Sequence, residues 1–175
     1  AGTLSHLGLG SGQVPILIGT FGKAFGTAGA FVAGSTALID FLTQMARPYI
    51  YTTAIPPSMA AATRKSLMLV QQADDKRAHL SRLIAYFRKE TALLGYDLMP
   101  SNSPIQPILI GETDRALALS AFLLTENILV TAIRPPTVPN NTARLRVTLS
   151  AAHSITQVDR LLSSLASAKQ KRVID

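Results

Sequence analysis

Lys23 stands in the run Thr20-Phe21-Gly22-Lys23-Ala24-Phe25-Gly26, directly after the apolar residues Ile16-Leu17-Ile18. An ammonium group beside a buried-looking strand is hard to explain by packing, because removing its charge from water is costly. Partial drying lowers the pKa of a lysine and makes it a usable amine nucleophile. Gly22 and Gly26 carry no side chains, so a flat molecule has room to approach the backbone. The second chemical feature is far along the chain. Arg144 and Arg146 are two residues apart, and a strand sends both to one face. A guanidinium pairs bidentately with a carboxylate, which a lone lysine cannot do.

Several other chemistries are excluded by spacing. A phosphate-binding P-loop needs glycine five positions before the Gly-Lys pair and Ser or Thr after the lysine, and here Leu17 and Ala24 hold those places. Gly8, Gly10 and Gly12 resemble part of a dinucleotide fingerprint, but no strand precedes them. The chain has no cysteine, so disulfides and thiolate metal sites are excluded and a cytoplasmic location is expected. No His/Asp/Glu cluster suggests a metal. His153 reads as a packed or capping histidine, and His6 and His79 carry no signal.

These groups must be positioned by ordinary elements. Residues 1–13 read as a glycine-rich loop. Ile16–Gly19 and Ala28–Ala33 read as strands, and Thr36–Met45 as a helix capped by Ser35 or Thr36 and stopped by Pro48. Tyr49–Ile55 reads as extended. After Pro56-Pro57, Ser58 is expected to cap a long helix to about Leu94, with a break near Ala73-Asp74 and Gly95 just past its end. Strands are expected at Tyr96–Met99, Ile105–Ile110, Ile128–Ile133 and Arg144–Ser150. Helices are expected at Arg115–Asn127 and, capped by Ser154, at Ile155–Ser167. Alternating strands and helices indicate an α/β sandwich.

The 175 residues suit one domain or slightly more, and 47% hydrophobic content is enough for a core. The net charge of +7 raises the class of nucleic-acid-binding or other basic binding modules. Its charges come as separated pairs, Arg64-Lys65, Lys76-Arg77 and Arg88-Lys89, with no continuous stripe and only 6% aromatics, so nucleic acid is not expected as a partner. The opening segment is too broken by Gly, Ser, Thr and Pro15 for a membrane helix, and no membrane partner is expected. It is expected to lie inside a larger protein.

As a set, three stretches resemble the α-oxoamine synthases, a family of fold-type I enzymes that use pyridoxal 5'-phosphate (PLP). They are Thr20–Gly26, then Tyr49-Ile50-Tyr51-Thr52-Thr53-Ala54-Ile55-Pro56-Pro57, then Ala132-Ile133-Arg134-Pro135-Pro136-Thr137-Val138-Pro139 with Ala143–His153. The third stretch is most similar to the biotin-pathway branch of that family.

The resemblance implies an α/β fold made of the end of a PLP-dependent transferase large domain (1–56), a connecting long helix region (57–95) and a small C-terminal α/β sandwich domain (96–175). It implies that Lys23 is the catalytic residue and carries the PLP, and that Thr20 binds its phosphate. Thr52 and Thr53 are either plain β-formers or reach the phosphate in a neighbouring subunit, which would require a homodimer. Arg146 is implied as the substrate-carboxylate residue, Arg144 as structural and Thr137 as a substrate contact. Arg134 either faces the acyl-CoA or anchors its loop.

The implied activity is condensation of L-alanine with a pimeloyl thioester, with loss of carbon dioxide. Other branches of the family, such as glycine C-acyltransferases, and a homologue without chemistry remain as alternatives. The family's ring-pairing aspartate and ring-stacking histidine have no counterpart in residues 1–22. The 175 residues alone are therefore expected to lack the full reaction, and the missing N-terminal part is an expected partner.

Overall fold

A computed structural model describes residues 2–173 and divides the chain into two compact units, Ala1–Asp74 and Asp75–Asp175. The expected connecting region 57–95 is not a separate body. Its helix breaks where the sequence suggested, into α4 (Pro57–Gln71) in the first unit and α5 (Asp74–Leu93) running through the second.

The first unit begins with a short helix, α1 (Thr3–Leu7), where a loop was expected. Strands β1 (Leu17–Thr20) and β2 (Ala30–Ala33) form an antiparallel pair with Leu17 opposite Ala33 and Thr20 opposite Ala30. Helix α2 (Thr36–Met45) starts at Ser35, whose hydroxyl accepts from the Leu38 amide at 3.3 Å. Of the segment expected to be extended, Tyr49 and Ile50 instead end a short helix, α3 (Arg47–Ile50), with Pro48 in its first turn where a missing N–H costs nothing, and residues 51–55 form neither helix nor strand. Pro56, not Ser58, is the cap residue of α4; the φ that proline fixes suits entry into the first turn.

Among its described residues this unit buries none, and Ile16, Ile18, Phe41, Met45, Tyr49 and Tyr51 are exposed. The expectation of a buried strand before Lys23 is therefore corrected: β1 belongs to a two-stranded ribbon, which cannot cover both of its own faces.

The second unit holds the core. Its sheet has the order β3-β4-β6-β5 and is antiparallel throughout, built from β3 (Asp97–Leu98), β4 (Ile105–Gly111), β5 (Thr131–Ile133) and β6 (Ala143–Thr148). Helix α6 (Thr113–Thr125) links β4 to β5, and α7 (Ile155–Gln170) follows β6. Alternation along β6 buries Ala143, Leu145 and Val147, while Arg146 and Thr148 on the other face are exposed.

The helices bury matching stripes: Leu83 and Phe87 from α5, Leu119 and Leu123 from α6, Val158, Leu161, Leu162 and Leu165 from α7. Ser154 and Gln157 close a reciprocal capping box at the start of α7. Gly95 takes the left-handed conformation, φ +74, that ends α5.

Tyr96 closes the edge of this core. Its ring is 7% exposed and its hydroxyl donates to the Leu165 carbonyl at 2.9 Å. Burial pushes its pKa from 10.0 up to about 12. The folded protein therefore holds this proton more tightly than the unfolded chain does. The contribution to stability is intact below about pH 10 and is lost as pH rises toward about 12. Unfolding midpoints measured across that range should fall, and Tyr96→Phe, which has no phenolic proton, should flatten this part of the profile. An unchanged slope in Tyr96→Phe contradicts the assignment.

Candidate functional site

Lys23 sits at the start of a tight turn that follows β1. The Gly26 amide donates to the Lys23 carbonyl at 2.9 Å, and Gly26 adopts φ +63, which side-chain-bearing residues resist. The loop closes on itself through Thr27 N to Phe21 O and Phe21 N to Gly29 O, both 2.9 Å. Phe21 packs edge-on against Phe25 and stacks on Phe31, with ring centres 5.3 and 5.5 Å apart. The aromatic rings form the body of the loop, and Lys23 is left exposed. Its amine has no hydrogen-bond or ionic partner among the described residues.

Thr20 ends β1 three residues before Lys23 and is exposed, so its hydroxyl and the amine belong to one strand–turn segment. Thr52 and Thr53 lie between α3 and α4, not in a strand. Their reading as β-formers is therefore corrected. The Thr52 hydroxyl donates to the Pro48 carbonyl, one turn back, while Thr53 stays exposed without such a bond.

The second unit carries the arginines. Arg146 is exposed on the open face of the sheet, opposite Pro107 of β4 and Thr131 of β5. Both neighbours are short, so the guanidinium meets no steric wall from the strands beside it. It has no side-chain partner among the described residues. Arg144 shares that face but is occupied: it donates to the Thr142 carbonyl (3.0 Å), the Thr142 hydroxyl (3.1 Å) and the Met99 sulfur (3.0 Å). One arginine holds the fold and the other is available for a ligand. Arg134 and Thr137 occupy the loop from β5 to β6. The Thr137 amide donates to the Arg134 carbonyl at 3.0 Å, and Arg134 bonds its neighbour's carbonyl at Pro135, 3.3 Å. The structure thus gathers Arg134, Thr137 and Arg146 in one unit, and Lys23, Thr20, Thr52 and Thr53 in the other.

His153 is a structural residue. Its Nδ1 accepts from the Ser150 amide at 3.1 Å, and its carbonyl meets His79 Nε2 at 2.8 Å. Sequence reasoning gave His79 no role. It also passed over Gln106, which is fully buried, donates to the Ser101 and Ser103 carbonyls and accepts from Arg88 at 2.7 Å. A buried glutamine inside an apolar strand was the available signal, since such an amide must find partners. Thr63 and Ser66 on α4 were passed over as well; they bond the lysine loop across 36 and 41 residues of sequence. Among the described residues no cluster could hold a metal ion, and no helix is long and apolar enough to cross a membrane.

Comparison with known proteins gives this geometry a family. The chain is 60% identical over 167 residues to the 8-amino-7-oxononanoate synthase of Pseudomonas paraeruginosa, covering 95% of this chain and 42% of that protein. It therefore spans less than half the length of the curated relatives it matches. Among solved structures, the 8-amino-7-oxononanoate synthase of Francisella tularensis superposes with a TM-score of 0.84 at 29% identity, over 99% of this chain and 51% of that one. A serine palmitoyltransferase from S. paucimobilis, solved with a bound PLP–myriocin aldimine, gives 0.85 at 27% identity, over 97% and 43%. The profile of the family described as aminotransferase class I and II matches residues 3–165. With that match running from before the lysine loop to the last helix, the chain belongs to the class I and II aminotransferase family.

Proposed function

We propose that this chain is the lysine-bearing and carboxylate-binding portion of an 8-amino-7-oxononanoate synthase. That enzyme would condense L-alanine with pimeloyl-CoA or another pimeloyl thioester, releasing the thiol and carbon dioxide, in biotin biosynthesis. The observation that carries the reading is an exposed, unpartnered Lys23 amine on a glycine turn, in a chain 60% identical to a relative of that name.

The residues suit PLP, which presents an aldehyde and a phosphate: a free primary amine and an exposed hydroxyl, Thr20, sit on one strand–turn segment. When bound, PLP supplies the electron sink for charge developing at the alanine Cα. Lys23 Nζ would hold the cofactor, and its amine would accept the Cα proton of alanine. Thr20 would donate its hydroxyl to the phosphate, and Thr52 and Thr53 would serve the cofactor of a neighbouring subunit. Arg146 grips the alanine carboxylate with two parallel N–H bonds and so fixes the orientation of the Cα bonds. Thr137 and Arg134 contact substrate from the β5–β6 loop. The enzyme is proposed to be a cytoplasmic homodimer.

The polypeptide corresponding to the rest of the relatives' length would provide the pairing aspartate and stacking histidine. It would also cover the apolar surface of the first unit, which buries no described residue of its own. The test uses the full-length protein with PLP, L-alanine and pimeloyl-CoA. Product should form, borohydride should fix the cofactor to Lys23, and the 175-residue chain alone should not turn over. A label on any other residue defeats the reading. Product from glycine or serine in place of alanine moves the chain to another branch of the family.

A further inference from the structure

Helix α4 reaches the lysine loop with two hydroxyls. Thr63 and Ser66 are three residues apart and so lie on one helix face. The Ser66 hydroxyl donates to the Phe25 carbonyl at 2.8 Å. The Thr63 hydroxyl lies 2.9 Å from that of Thr27 and 2.9 Å from the Met59 carbonyl one turn back, a contact that orients its side chain. Thr27 in turn lies 3.4 Å from the Phe21 carbonyl through its hydroxyl and bonds it at 2.9 Å through its amide. The contacts fall on both sides of Gly26, whose amide closes the turn onto the Lys23 carbonyl. The three hydroxyl side chains, Ser66, Thr63 and Thr27, are partly buried. Water competes less for such bonds than it does at a fully exposed loop.

We propose that Ser66 and Thr63 are positioning residues for Lys23: α4 braces the turn from behind and thereby sets the direction in which the amine leaves the backbone. Ala24 and Gly26 give the turn little side-chain bulk of its own, and the ring contacts of Phe21 with Phe25 and Phe31 restrain it through its aromatic side chains. The two hydroxyl contacts restrain it at the Phe25 carbonyl and the Thr27 hydroxyl. Lys23 has no hydrogen-bond or ionic partner among the described residues, so within them its orientation is inherited from this backbone. The functional half of the inference rests on Lys23 being the cofactor lysine; the structural half does not.

The test compares Ser66→Ala/Thr63→Val with the parent in the full-length, PLP-loaded protein, with the exposed neighbour Arg64→Ala as control. Amide exchange at Gly26 and Thr27 should accelerate about tenfold for each bond removed, with exchange in β6 unchanged. The pH midpoint of the visible absorbance of the lysine-bound cofactor should move, and cofactor should dissociate more readily. Ser66→Thr, which keeps the hydroxyl, should behave like the parent. Should the double variant not fold, Ser66→Ala alone gives the same readings at smaller size. Unchanged exchange at Gly26 and Thr27 overturns the brace, whatever the activity. Faster exchange with an unmoved absorbance midpoint overturns its role in aiming Lys23. Failure of the parent protein to carry cofactor on Lys23 overturns the functional reading instead, while the exchange measurement still decides the brace.

Discussion

Lys23→Ala should lower turnover of the full-length enzyme by about 10⁴-fold, the upper end of what a positioned acid–base group contributes. In the proposed role one amine does two things: it holds the cofactor, then accepts the alanine Cα proton. The loop offers no second group for either task. Its other side chains are aromatic, methyl or hydroxyl, and Ala24 and the glycines bring nothing that titrates. Lys23→Arg should be nearly as inactive, because guanidinium keeps the charge but surrenders no proton near neutral pH. A small exogenous amine should restore part of the rate in Lys23→Ala and none of the covalent labelling, since it can replace the base but not the tether. Single-turnover kinetics with absorbance detection separates the two losses. Retention of a tenth of the parent rate by Lys23→Ala contradicts the assignment.

The second large effect is expected at Arg146. In the proposed role Arg146 makes two charge-assisted hydrogen bonds to the substrate carboxylate, each worth about 1.5–3 kcal/mol, and Arg146→Leu removes both. The fall in kcat/KM for alanine should be about 10²–10⁴-fold. Arg146→Lys keeps the charge but loses the fork, so a loss of about tenfold is expected. Arg144 provides the contrast. Its guanidinium is already bonded to Thr142 and Met99, so Arg144→Leu should lower stability by about 1–3 kcal/mol and leave KM for alanine close to the parent. Steady-state kinetics and denaturant unfolding on both variants test the division. Interchanged phenotypes would show that the roles have been assigned to the wrong arginine.

That division illustrates how far the sequence could be read. Period-two alternation put Arg144 and Arg146 on one face, as found, but periodicity is blind to which of them finds a partner. Met99, which engages Arg144, lies 45 residues away in sequence. Elements with local signatures were the legible ones. Thr36–Met45 and the start of α7 at Ile155 follow from Ser35 and Ser154, whose side chains satisfy the free amides of the first turn. Gly95 marks the end of α5 because the chain reverses through a conformation that suits glycine.

The errors have physical causes of their own. Tyr49–Ile55 is rich in β-formers, yet Pro48 set in the first turn of α3 bends its start into helix. β-propensity is decided by the surface a strand would pack on. The long helix 57–94 was placed with its break, but its two halves belong to different units, a matter of tertiary contact.

The family was legible in the sequence itself, because Thr20–Gly26, Tyr49–Pro57 and Ala132–His153 resemble known motifs as a set, and the roles proposed for Lys23 and Arg146 rest on that resemblance together with residue type. What only the tertiary structure decided is which groups are free and what holds them. Lys23 and Arg146 are open, Arg144 is engaged, and Ser66 and Thr63 grip a loop about forty residues upstream. Hydrogen bonds over such separations depend on where the folded backbone brings two segments together, and no local pattern encodes that distance.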